Sequence, residues 1–589
     1  MRANDDPFAP ANVQILPIAQ IVNPGEVREE NLLPSFLYLP GATDFPEGSL
    51  AVPWDAQRRF VVGKLAQKRG VENAGRLVSS AKSWLSHSGV DRTAPLLPFL
   101  APEGVEKVSP VEASRRYLEH LSDAWKYKMP EAPFTEQQVL VTVPASFDAV
   151  ARELTLEAAR LAEYQNITLL EEPQAAFYAW IERHGDWRER VNLGDLILVV
   201  DIGGGTTDFT LIAVTEHAGE LTLERVAVGE HILLGGDNID LALANTVAQR
   251  LAEKGTRLDS RQMQTLWNNC RIAKERLLEP GATAEEQPVT ILGRGSGLVG
   301  GTIKAALKRE DIDRVLGEGF LPRVASTDMP TRQRRAALQE IGLPYAADPA
   351  ITRQLARFLR QQASSTEHGS VRRGPGGLAC PTHILFNGGV LNAGLVRERI
   401  VATLNSWLAE EGMAPVETLS GEDLMHAVAR GAAYYGLARQ GRGVRIRGGV
   451  PRTYYVGIES AMPSVPGFTA PLKALTVVPF GLEEGSDLRI PGREFGLVIG
   501  EPAEFRFLTS AMRKNDQPGD LIEDMGEELE ELAPMEVAFE AGETSSEVVP
   551  VSFEAVVTET GMLQLWCVTR DGRRWKLEFN VRERVEAAG

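Results

Sequence analysis

At 589 residues the chain exceeds what one ordinary core buries, so two or more domains are expected. Its 43% apolar and 24% charged content is globular and excludes a disordered chain. A net charge of −18 excludes a general nucleic-acid binder and a protein held on an anionic membrane, since both need basic surface.

Cys270, Cys380 and Cys567 lie far apart with no CxxC spacing, so neither a disulfide framework nor a zinc site is predicted and a reducing cytoplasm is the expected location. The start at Met1 lacks the apolar core of a signal peptide, and no stretch reaches the length of a membrane span. Val139–Val143 is β-branched, stops at Pro144 and reads as a buried strand. Asp148 is placed to cap a helix whose face carries Val150, Leu154, Ala158 and Leu161. Residues 167–170 read as a strand and 174–182 as a helix. Leu196–Val200 is wholly apolar, as in a sheet covered on both faces. This alternation predicts an α/β layer architecture.

Residues 241–280 and 300–360 read as mostly helical, and 362–381 as a loop rich in Ser, Gly and Arg. Residues 384–386 read as a strand, and 395–408 and 424–438 as helices. Arg439–Gly449 is a candidate linker. Beyond it, 537–539, 548–553, 562–568 and 575–581 read as strands of an all-β domain, with turns at Asp571-Gly572 and at 559–561.

Asp201-Ile-Gly-Gly-Gly-Thr-Thr-Asp208 follows the apolar strand and precedes Phe209–Ile212, so it reads as a strand–turn–strand hairpin. Gly203, Gly204 and Gly205 let backbone approach a ligand without a Cβ in the way, and successive N–H groups in such a turn form an anion nest. Thr206 and Thr207 add hydroxyls, and Asp201 is suited to hold Mg²⁺ through its waters. A Walker loop is excluded, because no Lys-Ser/Thr pair and no helix follows. Gly295-Ser-Gly-Leu-Val-Gly300 also matches GxGxxG, but no acidic residue stands at the later spacing and a plain turn is the reading.

The hairpin resembles the second phosphate hairpin of the actin, sugar-kinase and heat-shock-chaperone superfamily. Further segments narrow the resemblance to the DnaK-type 70-kilodalton heat-shock chaperones: Val141–Phe147, Glu171–Ala176, Leu234–Asp240, Ala81–Leu85, Phe386–Gly389 and Ala427–Ala433. The resemblance implies a two-lobed, actin-like (ribonuclease H-like) nucleotide-binding domain, with lobe I over 1–185 and lobe II over 186–438, a linker over 439–450 and a β-rich substrate-binding domain over 451–589. It implies ATP/ADP and Mg²⁺ as cofactors. Lys82 would orient the γ-phosphate or attacking water, Thr206 the γ-phosphate and Asp201 the magnesium, with Glu172 at its shell. Gly235, Gly236, Lys274, Gly388 and Gly389 would complete the nucleotide site, and Pro144 and Arg152 would relay nucleotide state. It further implies client polypeptides, a J-domain co-chaperone and an exchange factor as partners.

The sequence departs from the family pattern in four places. No first phosphate hairpin precedes Asn12–Leu16, which reads as the strand following it, so either a segment is missing before Met1 or the chain is a relative that has lost turnover; weak or no ATPase activity is expected of this exact chain, and a working ATPase with the hairpin restored. At the base site Arg271 stands where the family is acidic, and Leu278, Val390 and Asn392 replace polar or stacking residues. The linker is basic, with Val444 and Ile446 its apolar residues. No helical lid is read after the β domain. The acidic run Glu523–Glu531 reads as a solvated loop, and the basic stretch Thr331–Gln361 as helices on the second lobe that form either a partner surface or a solvated face. The leading function is an ATP-regulated chaperone. The alternatives are a nucleotide-binding scaffold with little hydrolysis, and a small-molecule kinase on the same superfold.

Overall fold

The computed structural model describes residues 13–577, except 88, 100, 218–219, 293–301, 332–342, 344, 365–370, 422, 441–445, 448–449, 451, 460–471, 483–485, 493, 500–501, 511, 524–527, 533–534, 539–546 and 558–562. The segments 295–300 and 559–561, part of the candidate linker and part of the basic stretch therefore lie outside the described residues.

The N-terminal part opens with a hairpin of β1 (Ile18–Asn23) and β2 (Glu26–Glu30). The strand expected at 12–16 starts instead after Pro17, which has no N–H to give a ladder. Helices α1 (Lys64–Glu72), α2 (Ala81–Trp84) and α3 (Pro110–Lys128) follow. Strand β3 (Val139–Val143) leads into α4 (Ala149–Leu161), which Asp148 caps by accepting from the Ala151 N–H at 2.7 Å. Leu154 and Ala158 are buried on its inner face, but Leu161, in the last turn, points to solvent. Parallel to β3 runs β4 (Ile167–Glu171), followed by α5 (Glu172–Arg183). That helix starts two residues earlier than expected, because Pro173 fits its first turn rather than delaying it.

The central sheet contains β5 (Leu196–Ile202), β6 (Thr207–His217) and β7 (Glu220–Val228). Helices α6 (Gly236–Glu253) and α7 (Ser260–Leu278) then cover one face. Residues 302–308, expected as helix, form a strand antiparallel to Glu286–Leu292, with Ile303, Ala305 and Leu307 alternating toward the core. Helix α8 (Ile351–Ser364), strand β8 (His383–Asn387), helix α9 (Gly394–Glu410), strand β9 (Glu417–Thr418) and helix α10 (Ala427–Arg439) complete the layers. In the linker region β10 (Ile446–Arg447) pairs in parallel with β7, giving the sheet order β9-β8-β5-β6-β7-β10. Along β5, Leu196, Leu198, Val200 and Ile202 enter the core under α6 to α9, while Ile197 and Val199 enter the core under α5 and α10. A strand buried on both faces has to be apolar throughout, and this one is. Gly431 of α10 lets that helix press on α5, where a Cβ would sit 1.6 Å from the Ala175 carbonyl oxygen.

From 453 onward the elements formed by the described residues are all strands. One sheet has Thr453–Glu459 between Leu472–Val478 and Phe507–Ser510. The other is built on Glu547–Val557 and Leu563–Val568, with Arg574–Leu577 turning back at Asp571-Gly572. Tyr454, Val456 and Val477 of the first meet Val551, Phe553 and Leu565 of the second in one core. This β-rich part touches the central sheet at Lys514, whose buried ammonium donates to Val226 O and Gln362 Oε1, each at 2.8 Å. Among the described residues no helix is long and apolar enough to cross a membrane.

Candidate functional site

A cavity of about 1370 Å³ opens over the end of β5, lined by Lys82, Glu172, Asp201, Gly203–Thr206, Gly236, Asp240, Lys274 and Gly389 among others. The β5–β6 turn forms its floor and is closed by Gly203 N–H donating to Thr206 O at 2.9 Å. Its three glycines have different reasons. At Gly203 and Gly204 an added Cβ would meet nothing closer than 3.8 Å, so their bare backbone faces the cavity. At Gly205 it would strike Ser83 Oγ at 2.6 Å, so packing requires that glycine. The N-terminus of α6 is laid against the same turn: Gly236 N–H donates to Gly203 O and Asp237 N–H to Gly204 O. A Cβ at Gly235 would lie 2.7 Å from both turn carbonyls. The cavity thus has backbone N–H groups of a turn and the positive end of a helix dipole on one wall, which favours an anion. On a third side Gly388, at φ +93°, passes so close to β5 that a Cβ would be 2.3 Å from Ile202 O.

Buried charge converges on this turn. Asp201 is 6% exposed and accepts from Asn387 Nδ2 at 2.7 Å. Burial first, then the neighbouring charges of Glu172 and Asp208, push its pKa up to about 7. Burial likewise pushes Asp208 up to about 6, against a hydrogen bond from Ser146 that favours its charged form. Lys82 forms an ion pair with Glu172. Burial lowers the pKa of that ammonium, but Glu172, Asp201 and Asp208 outweigh burial and raise it on balance. Half of the Lys82 side chain remains open to the cleft. The raised pKa values of Asp201 and Asp208, each lifted in part by the charge of Glu172, mark a place where a cation would be favoured. Among the described residues no three Asp, Glu, His or Cys side chains come together as direct metal ligands. A buried carboxylate at the cavity wall, Asp201, is of the chemistry that holds Mg²⁺ through its waters.

Thr206 lies at the turn and interacts with Asp208. Thr207 does not face the cavity: it is fully buried and its hydroxyl donates to Leu234 O at 2.7 Å, so it secures the turn and is no ligand donor. At the far end of the cavity Lys274 Nζ and Arg271 Nε hold the buried Asp240 at 2.7 and 2.9 Å, and Arg271 also pairs with Asp237 while its guanidinium lies over the Phe36 ring. Val390 and Asn392 line that wall.

Residues 52–318 match the family model described as Hsp70 protein. That stretch, a little under half of the chain, is similar to the Hsp70 family. It is 29% identical over 334 residues to a "Chaperone protein HscA homolog" of Paracidovorax citrulli, covering 53% of this chain and 50% of that protein. A homolog of the same description from Colwellia psychrerythraea is 30% identical over 243 residues (39% and 36%), and one from Actinobacillus pleuropneumoniae is 32% identical over 191 residues (31% and 27%). The chain therefore spans half or less of the length of these curated relatives.

Within the matched stretch Pro144 and Arg152 lie outside the cavity. Arg152 Nη2 donates to Glu171 Oε1 at 2.8 Å, and Arg225 pairs with the other oxygen, so one buried carboxylate is held by two buried guanidiniums. The Tyr454 phenol at the start of the β-rich part, its pKa raised by burial, feels the charges of Arg152, Arg452, Asp148 and Glu171. Sequence reasoning assigned no role to Asp208, Ser146 or His231. Ser146 Oγ donates to Asp208 and stands 2.6 Å from His231 Nδ1, while His231 Nε2 lies 2.9 Å from Ser86 Oγ. Asp208 was visible as the closing residue of the hairpin motif. Ser146 and His231 are separated from it by tens of residues and carried no local signal.

Proposed function

We propose that the chain is a nucleotide-regulated chaperone of the Hsp70 type, with an actin-like two-lobed nucleotide domain over 1–438 divided near 185, a linker over 439–450 and a substrate-binding β domain beyond. The observation that carries this reading is the convergence of Lys82, Glu172, Asp201 and Asp208 on a glycine turn backed by the α6 N-terminus. In it ATP or ADP lies with its phosphates on the 203–206 backbone. Mg²⁺, when bound, supplies positive charge against the β- and γ-phosphates. Asp201 would hold the ion through its waters, Glu172 pairs with Lys82 beside it, and the free half of Lys82 would reach the γ-phosphate or the attacking water. Thr206 would donate to the γ-phosphate, and the buried Asp208 holds Ser146 and Thr206 behind the turn. Such transfer needs positioning and charge more than covalent chemistry. Gly235, Gly236 and Gly388 border the phosphate turn, and Lys274 and Gly389 the nucleoside end, where Arg271, Val390 and Asn392 make a base cradle unlike the family's.

Coupling to the β domain runs through Glu171, its two arginines and Tyr454, and through β10 on the sheet edge. Clients are extended polypeptides, J-domain and exchange factors are the expected helpers, and the cytoplasm is the proposed location. A peptide whose affinity for the chain changes at least tenfold between ATP and ADP, about 1.4 kcal/mol of coupling, supports the chaperone reading. Nucleotide binding that leaves peptide affinity untouched favours the second reading, a nucleotide-binding scaffold. The breadth of the cavity beside Lys82 favours that alternative, because phosphate contacts come mainly from one wall.

A further inference from the structure

The helical turn that carries Lys82 is short and is held mainly by other segments. α2 spans four residues, begins at Ser80 in the left-handed region (φ +56°) and has no side-chain cap. Its ends are tied down: Ser80 Oγ donates to Asp237 Oδ2 at 2.8 Å, and the Arg92 guanidinium donates to the Leu85 and His87 carbonyls at 3.1 and 2.9 Å. The backbone stays helical through Leu85, so Ser86, four residues after Lys82, stands on the same face. The Ser86 hydroxyl lies 2.9 Å from His231 Nε2 and 2.9 Å from Ser83 O. His231 belongs to the segment between β7 and α6, and its neighbour is pinned to the phosphate turn, where Thr207 N–H donates to Ile232 O at 3.0 Å. The other ring nitrogen, Nδ1, lies 2.6 Å from Ser146 Oγ, whose proton goes to the buried carboxylate of Asp208. These partners place the ring's hydrogen. Ser146 gives its proton to Asp208, so a lone pair faces Nδ1, and Nδ1 carries the hydrogen. Burial first, then the charges of Lys82 and Arg452, push the ring's pKa down to about 4, so Nε2 is left bare to accept from Ser86. The donors run one way, from Ser86 to His231 to Ser146 to Asp208, and a chain ending on a carboxylate polarises each bond along it.

We propose that His231 is a positioning residue for Lys82: through Ser86 it fixes the Lys82-bearing turn against the phosphate turn, so that the ammonium is aimed at the γ-phosphate of a bound nucleotide. The inference rests on the nucleotide reading given above. His231, Ser86 and Ser146 do not line the cavity, so they act through Lys82 and Asp208 and not on the ligand itself. Half of the long Lys82 side chain is free, and the placing of its backbone decides where its head can reach. The γ-phosphate contact should therefore depend on the ring, and the contacts that an ADP makes with the 203–206 backbone should not.

The test measures, by calorimetry near neutral pH, the affinity of the full chain for Mg·AMP-PNP, which carries a γ-phosphate, and for Mg·ADP. Beside it stand nitrogen NMR spectra of the nucleotide-free chain with isotopically labelled histidine. The spectra should show His231 protonated at Nδ1 and bare at Nε2, and Ser86→Ala should move the Nε2 signal. The ratio of the two affinities should fall about two- to tenfold, the worth of one neutral hydrogen bond, in Ser86→Ala and in His231→Asn, which keeps a donor for Ser146 but cannot reach Ser86. His231→Gln, whose side-chain oxygen extends to the Nε2 position, should restore most of the ratio. In a Lys82→Ala background Ser86→Ala should change the ratio no further. ADP affinity should stay within about twofold of the parent throughout, whereas a merely structural role would weaken both nucleotides together. A ring protonated at Nε2, rescue by Asn and not by Gln, or equal loss of both affinities would each overturn the proposal. A parent chain that binds neither nucleotide would sink the nucleotide reading and the aim at a γ-phosphate with it, while an Nδ1-protonated ring in the same sample would show the tether intact, so the two failures are told apart. The spectrum of the unaltered chain keeps the proposal falsifiable if a variant does not fold.

Discussion

Asp201→Asn should stabilise the protein while removing its nucleotide site, and the gain should depend on pH. Asp201 is buried and pressed by Glu172 and Asp208, so its folded pKa rises from an ordinary 3.8 to about 7. A raised carboxyl pKa means that the folded state holds the proton more tightly than the unfolded one. Below about pH 4 both states are protonated and there is no cost. As pH climbs from 4 to 7 the unfolded chain ionises freely and the folded chain does not, so stability falls, and above 7 the whole cost is present. At 1.36 kcal/mol per pKa unit the full cost is on the order of 4 kcal/mol. The replacing amide keeps an oxygen to accept from Asn387 Nδ2, so little is lost in exchange. In EDTA, amide exchange of the β5 core should report a variant more stable than the parent by roughly 2–4 kcal/mol at pH 8, with the difference vanishing near pH 4. A variant less stable at pH 8, or a gain that does not change with pH, would refute the reasoning.

Glu171→Gln leaves the buried Arg152 and Arg225 without their carboxylate and should cost about 3–5 kcal/mol, seen as a lowered thermal midpoint. Gly431→Ala drives a methyl into the Ala175 carbonyl and should separate α5 from α10, costing about 3 kcal/mol or more by denaturant titration. Tyr178→Phe removes the hydroxyl that accepts from the Ile446 N–H at 2.8 Å; exchange of that amide should speed up about 5- to 100-fold, with the rest of the central sheet unchanged. Lys82→Ala should cut ATP turnover about 100-fold or more while leaving ADP affinity within a fewfold of the parent, read by single-turnover hydrolysis and calorimetry.

Much of the central sheet was legible because each local cue agreed with the next. β5 is apolar at every position and ends in Asp-Ile-Gly-Gly-Gly, so strand, burial and turn followed from composition and glycine chemistry. The Asp148 cap was legible for the same reason. Residues 302–308 misled, since Ala, Lys and Leu favour helix, yet pairing with 286–292 overrode a preference worth only tenths of a kcal/mol per residue. The burial of β3 misled differently: composition announces a covered strand, and the neighbours that decide coverage are distant in sequence. In the site, the residues in one contiguous motif could be read together. The contacts that set their chemistry could not, because Ser146, His231, Asn387 and Ser83 come from four separate segments.

The central claim, nucleotide held on the β5–β6 turn through Asp201, is tested most directly by calorimetric titration of Mg·ADP into the full chain and its Asp201→Asn variant. The account predicts saturable one-to-one binding to the parent, weakened at least tenfold both in the variant and in the parent when EDTA replaces Mg²⁺. Failure to bind, or equal binding to both proteins with and without the metal, would contradict it.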